Sequence, residues 1–178
     1  MTRLRITGGQ ARGRVLKEPV GPGVRPTTDR VREALFSMVG QDLAGQTFLD
    51  AYGGSGIVAI EAWSRGAEVT IVERDRRTLK ALERRGAEVG VQWTLVPGDV
   101  LRRVASLPVV DVVFADPPYA LDPEPIVRAL APLARRLLII EAASVATLPD
   151  RIDGLVRDRA RSYGRSELLF YAREAEAT

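Results

Sequence analysis

Apolar residues at Val31, Ala34, Leu35, Met38 and Val39 recur at i, i+3, i+4, i+7 and i+8, the period of a helix that packs one face. Thr28 stands where an N-cap belongs and Gly40 where such a helix stops. Beyond Gly40 the rhythm changes. Short apolar runs at 47–51, 69–73, 91–96, 110–115 and 137–140 read as strands. Helix-period stretches over 56–65, 75–85, 99–107 and 123–134 separate them, with Gly66 and Gly86 ending the first two. Strands that are apolar throughout need cover on both faces, so the alternation predicts an α/β fold, a doubly wound, mostly parallel sheet. The last stretch departs from this pattern. Residues 155–161 and 167–172 are joined by Tyr163-Gly164-Arg165 with no helix between them, which predicts an antiparallel C-terminal hairpin and seven strands in all. At the other end, residues 3–17 alternate around Gly8-Gly9 and Gly13, the pattern of a short hairpin or extended arm, and an irregular Pro- and Gly-rich connection follows. The expected organisation is a basic N-terminal arm over 1–27 and one domain over 28–178.

Composition narrows the chemistry. A chain of 178 residues, 46% of them hydrophobic, can bury one substantial core. It contains neither Cys nor His. Thiolate or imidazole nucleophiles, bases and metal ligands are therefore excluded, and no metal site is expected. No apolar run reaches membrane-spanning length and Met1-Thr2-Arg3-Leu4-Arg5 has no signal-peptide character, so a soluble, cytoplasmic monomer is expected. Charge is uneven. Residues 1–36 hold eight basic and three acidic residues, net +5, whereas the remainder is net −2. The basic residues are Arg3, Arg5, Arg12, Arg14, Lys17, Arg25, Arg30 and Arg32, the last two expected to face outward from the first helix. A basic segment on a slightly acidic body suits a polyanion such as nucleic acid; an Arg-rich solvated face is the plainer alternative.

Asp50-Ala51-Tyr52-Gly53-Gly54-Ser55-Gly56 joins the first strand of the α/β series to a helix. Glycines there allow a sharp turn and close approach of a ligand to helix N–H groups. Glu73 ends the next strand, where a carboxylate can accept both ribose hydroxyls. Gly54-Ser55-Gly56-Ile57-Val58-Ala59 also satisfies the G-x-G-x-x-A dinucleotide pattern, so a nicotinamide site, or a bare strand-to-helix turn, stays open on this loop alone. Asp50 favours a third ligand. A carboxylate beside the loop repels a pyrophosphate but suits S-adenosylmethionine, which carries a sulfonium and an ammonium and no phosphate.

Asp116-Pro117-Pro118-Tyr119 follows the fourth strand of the series directly. Two prolines fix the turn and leave its carbonyls as acceptors. An exocyclic amine of a nucleobase is a weak nucleophile; a carboxylate and a carbonyl that each accept one N–H can orient it and stabilise charge developing on nitrogen. Tyr119 offers a stacking face. In a doubly wound sheet this turn and the glycine loop are expected to share the crevice at the switch point.

With these residues placed, the sequence resembles the RsmD-like methyltransferases, which modify the N2 amine of a guanine in bacterial small-subunit ribosomal RNA. The resemblance is carried by Arg25-Pro26-Thr27, Asp29-Arg30-Val31-Arg32-Glu33-Ala34-Leu35-Phe36, Leu49-Asp50, Gly54-Ser55-Gly56, Glu61-Ala62, Ser64-Arg65-Gly66-Ala67 and Asp116 to Tyr119, and extends to the Tyr163-Gly164 and Leu168–Tyr171 ending. It implies a Rossmann-like class I methyltransferase fold and S-adenosylmethionine as cofactor. The implied cofactor contacts are Pro26, Thr27, Asp50, Tyr52, Gly53, Gly54, Ser55, Gly56, Glu73, Arg74, Asp99, Val100 and Asp116, with Asp99 facing the adenine amine. Asp116, Pro117, Pro118 and Tyr119 would hold the target amine. The implied partner is 16S rRNA, methylated on assembled small subunits in preference to naked RNA, with Arg165 joining the N-terminal cations as an RNA contact. Where the family more often has Leu-Phe-Ala, this chain has Ala51-Tyr52-Gly53, and Gly53 is expected to loosen the loop. A DNA amino-methyltransferase is the alternative within the same chemistry, though 178 residues leave little room for a target-recognition domain; a nicotinamide-dependent reductase is the alternative outside it.

Overall fold

The computed structural model describes residues 4–17 and 27–174. The chain divides into two compact units, Met1–Val100 and Leu101–Thr178.

In the first unit, β1 (Leu4–Arg5) and β2 (Val15–Leu16) pair antiparallel, Leu4 opposite Leu16. Two-residue strands cannot hold a hairpin by themselves. This one is anchored on Ser64, which accepts from Gln10 N–H through its carbonyl at 2.7 Å and from Ala11 N–H through Oγ at 2.9 Å, and donates its hydroxyl to Gly8 O at 2.6 Å. Helix α1 (Asp29–Val39) starts and stops where the sequence places it, with Thr28 Oγ1 accepting from Val31 N–H and Gly40 capping the end. There follow β3 (Thr47–Asp50), α2 (Ile57–Ser64), β4 (Glu68–Glu73), α3 (Arg76–Val89) and β5 (Thr94–Pro97). The three strands are parallel, in the order β5-β4-β3, with Asp50 opposite Ile71 and Glu73 opposite Pro97. Their carboxyl ends therefore lie along one edge. Helix α3 runs past the expected stop at Gly86, which is packed on the Trp93 ring, and ends at Gly90 with φ +80°. Strand β5 accordingly begins three residues late.

The second unit contains most of α4 (Val100–Arg103), a 3-10 turn at Val104–Ser106, β6 (Val110–Ala115), α5 (Pro123–Leu130), a 3-10 turn at Ala131–Leu133, and β7 (Ala134–Ala142). β8 (Arg151–Ile152), β9 (Leu155–Tyr163) and β10 (Ser166–Arg173) complete it. Its strand order is β6-β7-β10-β9-β8, parallel between β6 and β7 and antiparallel thereafter. All seven expected strands form, and two-residue β8 joins them. β7 is longer than its apolar signature because Arg135 and Arg136 interrupt the run at its start. β10 is buried on both faces through Leu168, Leu169, Phe170 and Tyr171. Among the described residues no helix is long and apolar enough to cross a membrane.

Candidate active site

The strand-end edge of the first unit gathers nearly all the expected cofactor residues. Asp50, the last residue of β3, is 2% exposed, and its Oδ1 accepts from Tyr52 N–H at 3.2 Å. Gly53 N–H donates to Val72 O at 2.9 Å and draws the loop across β4. There is no room for a methyl group at this position: a Cβ on Gly53 would lie 2.5 Å from Ile71 Cγ2 and 3.0 Å from Leu82 Cδ1. Glycine here packs the loop tightly, contrary to the loosening expected from the departure at this position. Gly56 caps α2 with φ +74°, a conformation other residues adopt at a cost, and its N–H closes the turn on Gly53 O at 2.7 Å. Beneath the loop, buried Arg85 donates to Ser55 O at 3.1 Å.

Glu73 answers the glycine loop. One carboxylate oxygen, Oε2, accepts from Gly54 N–H at 3.0 Å and the other, Oε1, from Asp75 N–H at 2.8 Å. The group is half-buried. Its orientation is fixed by two neutral donors, and a carboxylate has about four acceptor positions, so it can still receive a diol. Gly98 N–H donates to Glu73 O at 2.9 Å and brings Asp99 to the same edge, ahead of buried Val100. Tyr52 links these groups. Its phenol is pushed up to about 12, first by burial and then by the Asp99 carboxylate, with the exposed Arg74 guanidinium pulling the other way. Tyr52 thus stays a neutral O–H at any physiological pH. Three carboxylates, Asp50, Glu73 and Asp99, with a neutral phenol suit a cationic nucleoside, and Asp50 beside the loop disfavours a pyrophosphate.

In the second unit, Asp116 leaves β6 half-buried, Pro117 is buried, and Tyr119 is 47% exposed. Leu121 N–H donates to Pro118 O at 2.9 Å, which closes the turn behind the two prolines. The aromatic ring is left at the surface.

The expected RNA contacts divide. Arg5, Arg12, Arg14, Lys17, Arg30 and Arg165 are exposed. Arg14 spends its guanidinium on the end of α3, donating to Val89 O and Glu88 O at 3.1 and 2.8 Å. Arg3, Arg25 and Pro26 lie outside the described residues. Arg32 is a correction: it points inward and is 1% exposed. It donates to Glu61 Oε1 through Nε at 3.1 Å, to Thr27 O at 2.6 Å, and to Arg5 O and Asp29 Oδ1 at 2.5 and 3.0 Å. Residue 32 lies one helical turn before Phe36, so it shares the buried face of α1.

Arg32 leads to a centre the sequence reading passed over. Glu61, with no exposed surface, accepts from Thr7 N–H at 2.7 Å and Arg32 Nε on one oxygen, and from Arg65 Nη1 at 2.5 Å on the other. Arg65 also lies over the Phe36 ring at 4.2 Å. The signal was available: Glu61 is the one charged residue in α2, otherwise Ile57-Val58-Ala59-Ile60, Ala62-Trp63-Ser64.

These strand ends, on these elements, define the class I methyltransferase fold. The solved structure described as "Putative methyltransferase yhhF from Escherichia coli" superposes with a TM-score of 0.85 at 32% identity, over 98% of this chain and 100% of that one. The chain belongs to the family described as Conserved hypothetical protein 95, whose profile matches residues 4–172. "Ribosomal RNA small subunit methyltransferase D" of Escherichia coli strain K12 is 38% identical over 120 residues, which span 66% of this chain and 61% of that relative's length. "Putative rRNA methyltransferase YlbH" of Bacillus subtilis is 30% identical over 94% of this chain and 98% of its own.

Proposed function

We propose that this protein transfers a methyl group from S-adenosylmethionine to the exocyclic N2 amine of a guanine in 16S rRNA, on the assembled small subunit. The observation that carries the reading is Asp116-Pro117-Pro118-Tyr119 at the end of β6, in a member of a family whose relatives include proteins named as ribosomal RNA methyltransferases. When bound, the cofactor supplies an electrophilic methyl group on sulfur. Glu73 receives the ribose hydroxyls, already oriented by Gly54 and Asp75. Asp50 and the Tyr52–Gly56 loop hold the cationic amino-acid end, and Asp99 takes the adenine amine. Thr27, its carbonyl fixed by Arg32, borders the same ligand; Arg74 and Val100 flank it.

Asp116 and the Pro117 carbonyl each accept one N–H of the target amine. This aims the nitrogen lone pair at the methyl group and stabilises the positive charge that grows on nitrogen. Tyr119 stacks on the base. In a chain without histidine the carboxylate is the natural acceptor. Arg5, Arg12, Lys17 and Arg30 meet RNA phosphates, joined by Arg14 through what its two carbonyl bonds leave exposed; buried Arg32 drops out of that set.

The test is tritiated methyl transfer to small subunits from cells lacking this modification, followed by nucleotide mapping. Asp116→Ala should lower turnover by about a hundredfold or more, the scale of a lost positioned polar group, with S-adenosylhomocysteine affinity nearly retained. Near-normal turnover would overturn the amine-orienting role, and label on a base other than guanine would overturn the substrate.

A further inference from the structure

β9 ends in a stretch unlike any other strand. Residues 157–165 hold four arginines and one aspartate. β8 pairs only with Leu155 and Val156, so from Arg157 onward the side of β9 away from β10 has no neighbouring strand among the described residues.

A register shift between Phe170 and Tyr171 sorts these arginines. Cross-strand partners share a face, and Phe170 and Tyr171, adjacent in β10, face opposite ways. Arg157, opposite Tyr171, is on one face, where it reaches Leu148 O at 3.4 Å and Asp150 at 3.9 Å. Arg159, Arg161 and Tyr163, opposite Phe170, Leu168 and Ser166, form a row on the other. Strand geometry spaces that row at roughly 7 Å per step. Arg165 follows in the turn. Arg159 touches its sequence neighbour Asp158 at 2.7 Å, a surface pair that exchanges at little cost. Arg161 donates to the adjacent Ala160 O, and neither Arg161 nor Arg165 enters an ion pair among the described residues.

We infer that this free edge, Arg159, Arg161, Tyr163 and Arg165, binds an RNA strand, its guanidinium forks on successive phosphates and its aromatic ring against a base. The inference rests on the RNA reading above and adds the place where the strand lies. Charges on an edge strand also prevent self-pairing, but charges of either sign do that. A row of one sign, built from the side chain that grips phosphate in two places and set beside an aromatic ring, has the chemistry of a single-strand surface.

The experiment is RNA binding by the full chain across a salt series, with a fragment of small-subunit rRNA as probe. Wild type is compared with R159E/R161E/R165E, which keeps a charged edge, and with R159K/R161K/R165K. Each protein is checked by size exclusion and by S-adenosylhomocysteine titration. The Glu variant should bind RNA at least tenfold more weakly at low salt, with a log–log salt slope shallower by about 2. The Lys variant should keep its slope, and cofactor-analogue affinity should hold in all three. If the triple Glu variant fails to fold, R161E and R165E singly carry the same comparison, with a slope shallower by about 0.7 each. Unchanged RNA affinity and slope in folded Glu variants overturns the inference alone and leaves the arginines as guards of the edge. A wild-type protein that binds no RNA overturns it together with the RNA reading.

Discussion

Glu61 in α2 and Glu73 at the end of β4 are both held by backbone N–H groups. The first has no exposed surface and is flanked by two guanidiniums, Arg32 and Arg65, with Thr7 N–H completing its shell. The second is half in solvent and, among the described residues, is held by the Gly54 and Asp75 N–H groups. Formal cations neutralise a carboxylate and turn it into architecture. Neutral donors orient it and leave its charge to act on something else. The contrast separates a structural acid from a ligand-binding acid without reference to conservation, and it explains why both can sit within one unit of the fold.

The same truncation at both positions tests this division. Glu61→Ala leaves buried Arg65 without its anion and buried Arg32 with Asp29 alone among the described residues, and should cost about 3–5 kcal/mol of stability, read as a lowered urea midpoint. Glu73→Ala should cost only about 1 kcal/mol of stability but weaken S-adenosylmethionine binding by roughly 1.5–3 kcal/mol, the scale of hydrogen bonds to a charged group. Calorimetry on that variant reads the change as a loss of roughly ten- to a hundredfold. If the two variants trade signatures, with Glu73→Ala unfolding and Glu61→Ala losing only ligand, the division is wrong. The smallest effect concerns Tyr52, whose phenol is raised from 10.0 to about 12. Between those values the unfolded chain has released a proton that the folded chain retains, so stability falls as pH rises. Below pH 10 the contribution is fully present. Tyr52→Phe should flatten the loss of stability across that window, measured by urea unfolding at stepped pH.

Periodicity made the elements legible, and the Asp50–Gly56 loop, Glu73 and Asp116–Tyr119 were all readable as strand-end residues. Three failures have physical causes. Gly86 looked like a helix stop, yet a glycine terminates a helix by taking a left-handed conformation. Gly86 instead stays in α3 to make room for Trp93, and Gly90 caps it. Arg32 carries the charge of a surface residue, but its phase along α1 is that of a buried one. Its spacing to Phe36 put it on the buried face, and its counterion, 29 residues away in Glu61, is a partner that local pattern cannot supply. The Gly53 substitution misled for a related reason: whether a glycine loosens or tightens a loop depends on Ile71 and Leu82, which come from other elements.

The Ser64 anchor of the hairpin bears on the order of assembly. Residues 4–16 are synthesised before the groups that hold them, Glu61 and Ser64, which follow more than 50 residues later. Strands of two residues have no stability of their own, so this segment must wait, unpaired, until α2 is complete. Its docking then closes a loop of about fifty residues, whose entropic cost grows only slowly with length. The hairpin thus cannot settle before α2 has formed, and a nascent chain arrested before residue 64 should leave Arg5, Arg12 and Arg14 open to proteolysis that the finished unit resists.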